Sequence, residues 1–220
     1  MWPFRSDPAV KATGPLKEFY ATRPPADNTP LEELPLLAVD VETTGLKPGK
    51  HQLVSIGWVP VDGTRIDLSG AGYVVLRGAE GFTVGSSATI HQLTDDQIAA
   101  GIDHTDAVGQ LLRALTGRVL LGHFVAMEEG FLSLACERLF DAPLKVPMVD
   151  TFAIERRHME RMGTYPRGED LRLARVRQRY GLPDYHNHNA LTDALATAEL
   201  LQAQVAHRFA PETPLRELWC

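Results

Sequence analysis

The sequence predicts one α/β domain built on a mixed β-sheet with helices packed against it. Three observations point there. β-rich runs come first in the chain and helical periodicities alternate with strands afterwards, so an antiparallel half should precede parallel strands joined by helical crossovers. An Asp-Gly pair between two β-rich runs marks a hairpin. The 220 residues, 44% hydrophobic and 23% charged, suffice for one buried core.

Residues 1–34 carry Pro3, Pro8, Pro15, Pro24, Pro25 and Pro30 with little periodicity, and read as a Pro-rich N-terminal arm with a short helix near Leu16–Tyr20. The domain proper is expected over residues 35–210, with a C-terminal tail over 211–220. The apolar run Leu36–Val41 is a buried strand. Gln52–Val61 and Ile66–Leu76 are two strands around Asp62-Gly63-Thr64. Thr94–Ala100 is a short helix capped by Thr94, with Gln97 as its capping-box partner. Thr105–Leu115 is helical, with Ala107, Val108, Leu111, Leu112 and Leu115 on one face. Val119–Leu121 is a strand and Glu128–Phe140 a helix. Val146–Val149 is a strand and Thr151–Met162 a helix. Leu171–Tyr180 is a helix stopped by Gly181 and Pro183. The last strong helix runs from Ala190 to His207, with Asn189 as its cap.

Composition excludes several classes. A net charge of −6 does not suit a protein that coats nucleic acid by bulk electrostatics. The longest apolar stretch, Val119 to Met127, is interrupted by Gly122 and His123 and is too short to span a membrane. The N-terminus has no apolar core of a secretory leader. Cys136 and Cys220 require no disulfide, and Cys136 falls in an apolar helical pattern, which suits a cytoplasmic protein.

Three acidic segments end apolar runs far apart in the chain: Leu36 to Gly45, Leu120 to Glu128, and His188 to Asp193. Asp40 and Glu42 are two residues apart at a strand end, so their side chains share a face. Two carboxylates on one face are costly unless a cation lies between them. Oxygen ligands of this kind suit Mg²⁺ or Mn²⁺ rather than Zn²⁺. Thr43, Thr44 and Gly45 then turn the chain and leave backbone N–H groups near the pair. For Asp-x-Glu alone, an acidic strand end with a polar turn is the plain alternative; the string Asp40-Val41-Glu42-Thr43-Thr44-Gly45-Leu46 is far more specific.

That string resembles the first motif of the DnaQ-like, or DEDDh, 3′–5′ exonucleases, which include the proofreading subunit of bacterial DNA polymerase III, ribonuclease T and oligoribonuclease. The resemblance covers roughly residues 35–205 and implies a ribonuclease-H-like three-layer fold, a central mixed sheet flanked by helices. The second motif, usually His-Asn-x-x-Phe-Asp, reads His123-Phe124-Val125-Ala126-Met127-Glu128. Phe124 replaces the Asn and Glu128 the Asp. Glutamate keeps the charge and reaches further by a methylene, so Glu128 is expected to face the second metal. Its alternative role is a stabilising acid in a helix's first turn. Glu129 lies about 100° round the helix and out of register. The third motif, His-x-x-x-x-Asp, is matched by His188 and Asp193. His186 is out of register; a zinc pair of His186 and His188 is the weakest alternative. Tyr185 has the wrong spacing for the tyrosine subgroup.

The resemblance implies two Mg²⁺ or Mn²⁺ ions. Asp40, Glu42 and Asp193 would hold one, Asp40 would bridge to the other, and Glu128 would support it. His188 would be the general base that takes a proton from water. The implied activity is 3′–5′ exonuclease, releasing 5′-mononucleotides from the 3′ end of single-stranded DNA or RNA. The partners are then a strand's 3′ end and a DNA polymerase or repair protein, with no membrane. The departures in the second motif keep a catalytically degenerate binding or scaffold module as the alternative, beside a hydrolase of very short oligonucleotides.

For substrate contacts, Thr43 and Thr44 flank the first acidic pair. Ile90-His91-Gln92-Leu93-Thr94 resembles a family segment that often reads His-Gly-Ile-Thr, which makes Leu93 a wedge against terminal bases and His91 a phosphate or sugar contact. The alternative is a loop packed on the core. Eight arginines, Arg156, Arg157, Arg161, Arg167, Arg172, Arg175, Arg177 and Arg179, cluster with Tyr165 and Tyr180. They form either a track for a nucleic-acid backbone or, given Glu155, Glu160, Glu169 and Asp170 among them, an ion-paired solvated face.

Overall fold

The computed structural model describes residues 7–78, 93–185 and 189–219. Among these, six strands form one sheet in the order β3-β2-β1-β5-β6, with β4 also paired to β2. The strands are β1 (Pro35–Thr43), β2 (Leu53–Asp62), β3 (Arg65–Ile66), β4 (Gly72–Val75), β5 (Val119–Gly122) and β6 (Met148–Asp150). β2 pairs antiparallel with β1, β3 and β4, whereas β5 is parallel to both β1 and β6. The expected mixed sheet, antiparallel half first, is therefore present.

The helices are α1 (Pro8–Lys11), α2 (Gly14–Ala21), α3 (Asp95–Ala99), α4 (His104–Leu115), α5 (Ala126–Phe140), α6 (Thr151–Arg161), α7 (Leu173–Arg179), α8 (Ala190–Arg208) and α9 (Leu215–Leu218). Strand alternation divides the apolar side chains between two layers. Leu37, Val39 and Leu120 bury against Leu111, Leu112, Phe131 and Leu132 of α4 and α5. Leu36, Ala38 and Leu121 bury against Ile154 of α6 and Ala198, Leu201 and Val205 of α8. Cys136 is free and fully buried in the first layer.

Two prolines of the N-terminal segment, Pro8 and Pro15, stand in the first turns of helices, where a missing N–H costs nothing. Asp7 caps α1 ahead of Pro8, and Pro15 follows Gly14 at the start of α2, the helix expected near Leu16–Tyr20. Leu16 and Phe19 are buried with α4 and α5. Leu31 and Leu34 share the second layer with Leu215 and Leu218 of α9.

Two expected elements are each divided. Ile66–Leu76 is not one strand, because the Asp67 carboxylate accepts from the Ser69 N–H and Oγ–H and winds Leu68–Gly70 into a 3₁₀ turn between β3 and β4. Leu171–Tyr180 is not one helix. A 3₁₀ turn over Gly168–Leu171 ends at Arg172, whose backbone is extended (ψ 142°), before α7 begins. Among the described residues no helix is long and apolar enough to cross a membrane.

Candidate active site

The site lies at the carboxyl ends of the parallel strands, where α/β sheets leave a crevice. Asp40 and Glu42 project from β1 on the face covered by α8. The β1–β2 register slips between Glu42 and Thr43, a bulge that bends the strand as it leaves the sheet. Thr43 Oγ1 donates to the Gly45 carbonyl at 2.8 Å, and Thr44 Oγ1 accepts from the Gln52 N–H at 3.0 Å. The Thr44 N–H is itself bonded to the Gln52 carbonyl, so this turn does not offer that donor to the site, contrary to the sequence expectation.

Asp193 arrives on the first turn of α8, which Asn189 caps by accepting from the Leu191 and Thr192 N–H groups. Its approach depends on a residue that sequence reasoning passed over. Gly57 pairs with Asp40 across β1 and β2, and a Cβ there would lie 2.2 Å from the Leu191 nitrogen. Only glycine lets the start of α8 settle on the sheet beside Asp40. A glycine inside a strand pattern was the available signal.

The outcome is one carboxylate cluster. Oxygen atoms of Asp40, Glu42 and Asp193 all lie within 4.8 Å of one another. Burial first, then the charges of Glu128, Asp193 and Glu42, hold the Asp40 pKa well above the usual carboxylate range. Burial and Asp193 push Glu42 up to about 7.

Glu128 sits in the first turn of α5, just past the end of β5, and is only 5% exposed. Burial pushes it up to about 8, with a further rise from Asp150 that its own backbone N–H partly opposes. Its Oε2 is buried with no hydrogen-bond partner among the described residues. An acid that served only the helix dipole would have its charged form favoured. Glu128 is the reverse: its charge is disfavoured and faces other acids. The donor set, all oxygen, with the pKa values of Asp40, Glu42 and Glu128 raised and a carboxylate oxygen that has no hydrogen-bond partner among the described residues, fits hard divalent cations such as Mg²⁺ or Mn²⁺.

Asp150, also missed from sequence, fixes the entry to α5. Its Oδ1 accepts from the Phe124 and Phe152 N–H groups at 2.8 and 2.9 Å, and its Oδ2 from Val125 at 3.3 Å. An Asp at a strand end before a helical run is a cap signal that the sequence did carry. His123 is half-buried. Its Nε2 lies 2.7 Å from the Leu171 carbonyl and therefore donates, and its Nδ1 lies 2.9 Å from Thr151 Oγ1, a hydroxyl that also reaches the Gly122 carbonyl at 3.1 Å. Burial holds its pKa below the ordinary histidine value. Phe124 adopts φ 71°, a left-handed conformation costing roughly 1–2 kcal/mol for a residue with a Cβ. It lines a cleft of about 820 Å³ with Leu46, Phe152, Arg172 and Asp193.

His188, His186 and His91 lie outside the described residues. Leu93 is 7% exposed and packs with Val54 and Ile98. Of the arginine cluster, Arg156, Arg172, Arg175, Arg177 and Arg179 are ion-paired with Glu160, Glu169, Asp170, Glu199 and Glu155 respectively.

A family model described as Exonuclease, of the ribonuclease T type, matches residues 37–201. The chain is 27% identical over 176 residues to the DNA polymerase III subunit epsilon of Treponema pallidum, covering 80% of this chain and 79% of that protein. It is 28% identical over 178 residues to the PolC-type DNA polymerase III of Bacillus subtilis, covering 78% of this chain but 11% of that one. Among solved structures, Escherichia coli exonuclease I in complex with a dT13 oligonucleotide superposes with a TM-score of 0.68 at 16% identity, over 79% of this chain and 41% of that one. Cell-death related nuclease 4 superposes with a TM-score of 0.64 at 15% identity, over 80% of this chain and 65% of that one.

Proposed function

Because the chain belongs to the exonuclease family whose model spans residues 37–201, we propose that it hydrolyses single-stranded nucleic acid from the 3′ end with two divalent cations and releases 5′-mononucleotides. The observation that carries this reading is the convergence of Asp40, Glu42 and Asp193 within 4.8 Å, with Glu128 close enough for its charge to act on Asp40. Asp40, Glu42 and Asp193 would hold one Mg²⁺ or Mn²⁺, and Asp40 with Glu128 the second. Such ions, when bound, stabilise the charge that develops on the attacking and leaving oxygens of a phosphodiester.

The chain's own residues do the rest. Burial first, and neighbouring acids after it, disfavour the ionised forms of Asp40, Glu42 and Glu128, so the site is tuned to take up positive charge as it loses protons. Gly57 and Asn189 fix the start of α8 and thereby the reach of Asp193. Asp150 fixes the start of α5 and thereby Glu128. His188 is the proposed base; the sequence sets it one residue before the α8 cap and five before Asp193. A proton acceptor with an ordinary pKa near 6.5 works well there at neutral pH. The glutamate in the second motif retains the acid, which favours catalysis over a scaffold role.

The test is digestion of 5′-labelled single strands with Mg²⁺ or Mn²⁺, DNA and RNA side by side. The expected result is progressive shortening from the 3′ end by wild type and none by Asp40→Ala. Equal activity in both proteins, or none in wild type, contradicts the proposal. The polymerase III relatives named above make a DNA polymerase a candidate partner, to be tested by co-purification.

A further inference from the structure

The departure at Phe124 leaves something for the structure to explain. A phenylalanine is held at φ 71°, where its Cβ is unfavourable, and 49% of it faces solvent. Neither burial nor backbone preference accounts for a large apolar ring in that place. The position is nevertheless firmly made: Asp150 accepts the Phe124 N–H at 2.8 Å. The Phe152 ring backs the Phe124 ring at 5.2 Å between centroids, tilted by 58°, and half-buried His123 meets Phe152 edge-on at 5.8 Å. Strained, solvent-facing groups held by an over-determined surrounding cluster at functional sites. The ring lines the same cleft as Asp193 of the carboxylate cluster, with Leu46, 78% exposed, and Arg172 also on its wall.

We propose that Phe124, backed by Phe152, is a stacking platform for a nucleobase of the bound strand near its 3′ end. The inference rests on the exonuclease reading for the identity of its occupant. A nucleobase suits the cleft because a flat apolar ring beside an acidic, cation-seeking cluster matches a nucleotide's two chemistries, a π-face and a phosphodiester bridged to carboxylates by metal. Stacking is indifferent to sequence, since every base has a π-face. The platform therefore contributes grip rather than base choice.

The experiment compares wild type with Phe124→Ala, Phe124→Asn and Phe124→Trp. Steady-state hydrolysis is measured on a DNA strand with normal bases and on the same strand with abasic sugars at its last two 3′ positions. In parallel, a strand carrying 2-aminopurine at those positions is titrated with Ca²⁺ present and its fluorescence recorded. On the normal strand, Phe124→Ala and Phe124→Asn are expected to raise KM about tenfold, as loss of one stacked base should, with kcat changed less and Phe124→Trp close to wild type. On the abasic strand wild type already carries that loss and the variants add none. Phe124→Asn unfolds at the same or a higher temperature than wild type, because asparagine tolerates the left-handed conformation. The 2-aminopurine is quenched by wild type and not by Phe124→Ala. A KM for Phe124→Ala within twofold of wild type, equal losses on both strands, or no quenching by wild type overturns the platform. Absence of cleavage by wild type with quenching intact would instead sink the exonuclease reading and leave the platform standing.

Discussion

Glu155 and Glu128 lie on successive helices, 2% and 5% exposed, and their surroundings treat the same side chain in opposite ways. Burial alone would raise both. At Glu155, on α6, a hydrogen bond from Tyr180 Oη at 2.8 Å and the charges of Arg208 and Arg179 more than offset it, and the pKa is lowered. Arg208 lies 3.0 Å from Oε2 and Arg179 3.3 Å from Oε1, so both oxygens are occupied. At Glu128, on α5, the neighbouring charges are acids, one oxygen has no hydrogen-bond partner among the described residues, and the pKa rises to about 8. A buried carboxylate with its cations built in is part of the scaffold. One whose neighbouring charges are acids suits, on the function proposed above, a cation taken from solution.

The largest expected effect is on the paired glutamate. Glu155→Ala leaves Arg208 and Arg179 without their carboxylate and should lower unfolding free energy by about 3–5 kcal/mol, read by denaturant melts. Glu128→Gln should do the reverse in metal-free protein, raising stability at pH 8 by removing a charge that burial disfavours, while weakening Mn²⁺ binding. Equal losses from the two substitutions would show that the two environments do not differ as described.

Next comes the backbone approach that assembles the acidic cluster. Gly57→Ala forces a Cβ into the start of α8 and should cost about 1–3 kcal/mol as overpacking. It should also abolish the Mn²⁺ response by displacing Asp193, which a scaffold-only glycine would not do. Melting curves with and without Mn²⁺ separate the two effects.

A smaller, graded effect concerns pH. Glu42 and Glu128 titrate at about 7 and about 8 in the fold, above the ordinary 4.5. For acids whose folded pKa is raised, the stabilising contribution is complete below the unfolded pKa and is lost as pH rises through the folded value. Metal-free protein should therefore lose stability between about pH 5 and pH 8 through these groups, and Glu128→Gln should flatten that fall. Mn²⁺ should reverse it, binding more tightly as pH rises. Melting temperatures in chelator across this range check the sign.

The smallest effect belongs to the surface arginines. Arg172 and Arg175 pair only loosely, at 3.8 and 3.9 Å, on exposed side chains. Reversing both charges should weaken strand binding modestly and flatten its salt dependence. Unchanged binding assigns them to a solvated face.

Much of this was legible in the sequence. The hairpin at Gly63, the capping box of Thr94 and Gln97, and the cap at Asn189 are local signals, and local hydrogen bonds realise them. The pairing of Asp40 with Glu42 follows from strand periodicity, whereas Asp193 joined them only through a motif. What stayed hidden depends on contacts between distant segments. Gly57 matters because α8, more than 130 residues later, lands on it. Glu155 reads as one acid among surface arginines, and becomes a buried hub only when Tyr180 and Arg208 fold onto it. The splitting of Ile66–Leu76 turned on one side chain, Asp67, competing for the backbone.

The claim that the acidic cluster exists to bind cations is tested most directly by calorimetric titration of the metal-free protein with Mn²⁺ near pH 7 in two buffers of different ionisation enthalpy. Binding accompanied by proton release, weakened in Glu128→Gln and lost in Asp40→Ala, is the predicted result. No Mn²⁺ binding by wild type, or binding untouched by Asp40→Ala, would contradict it.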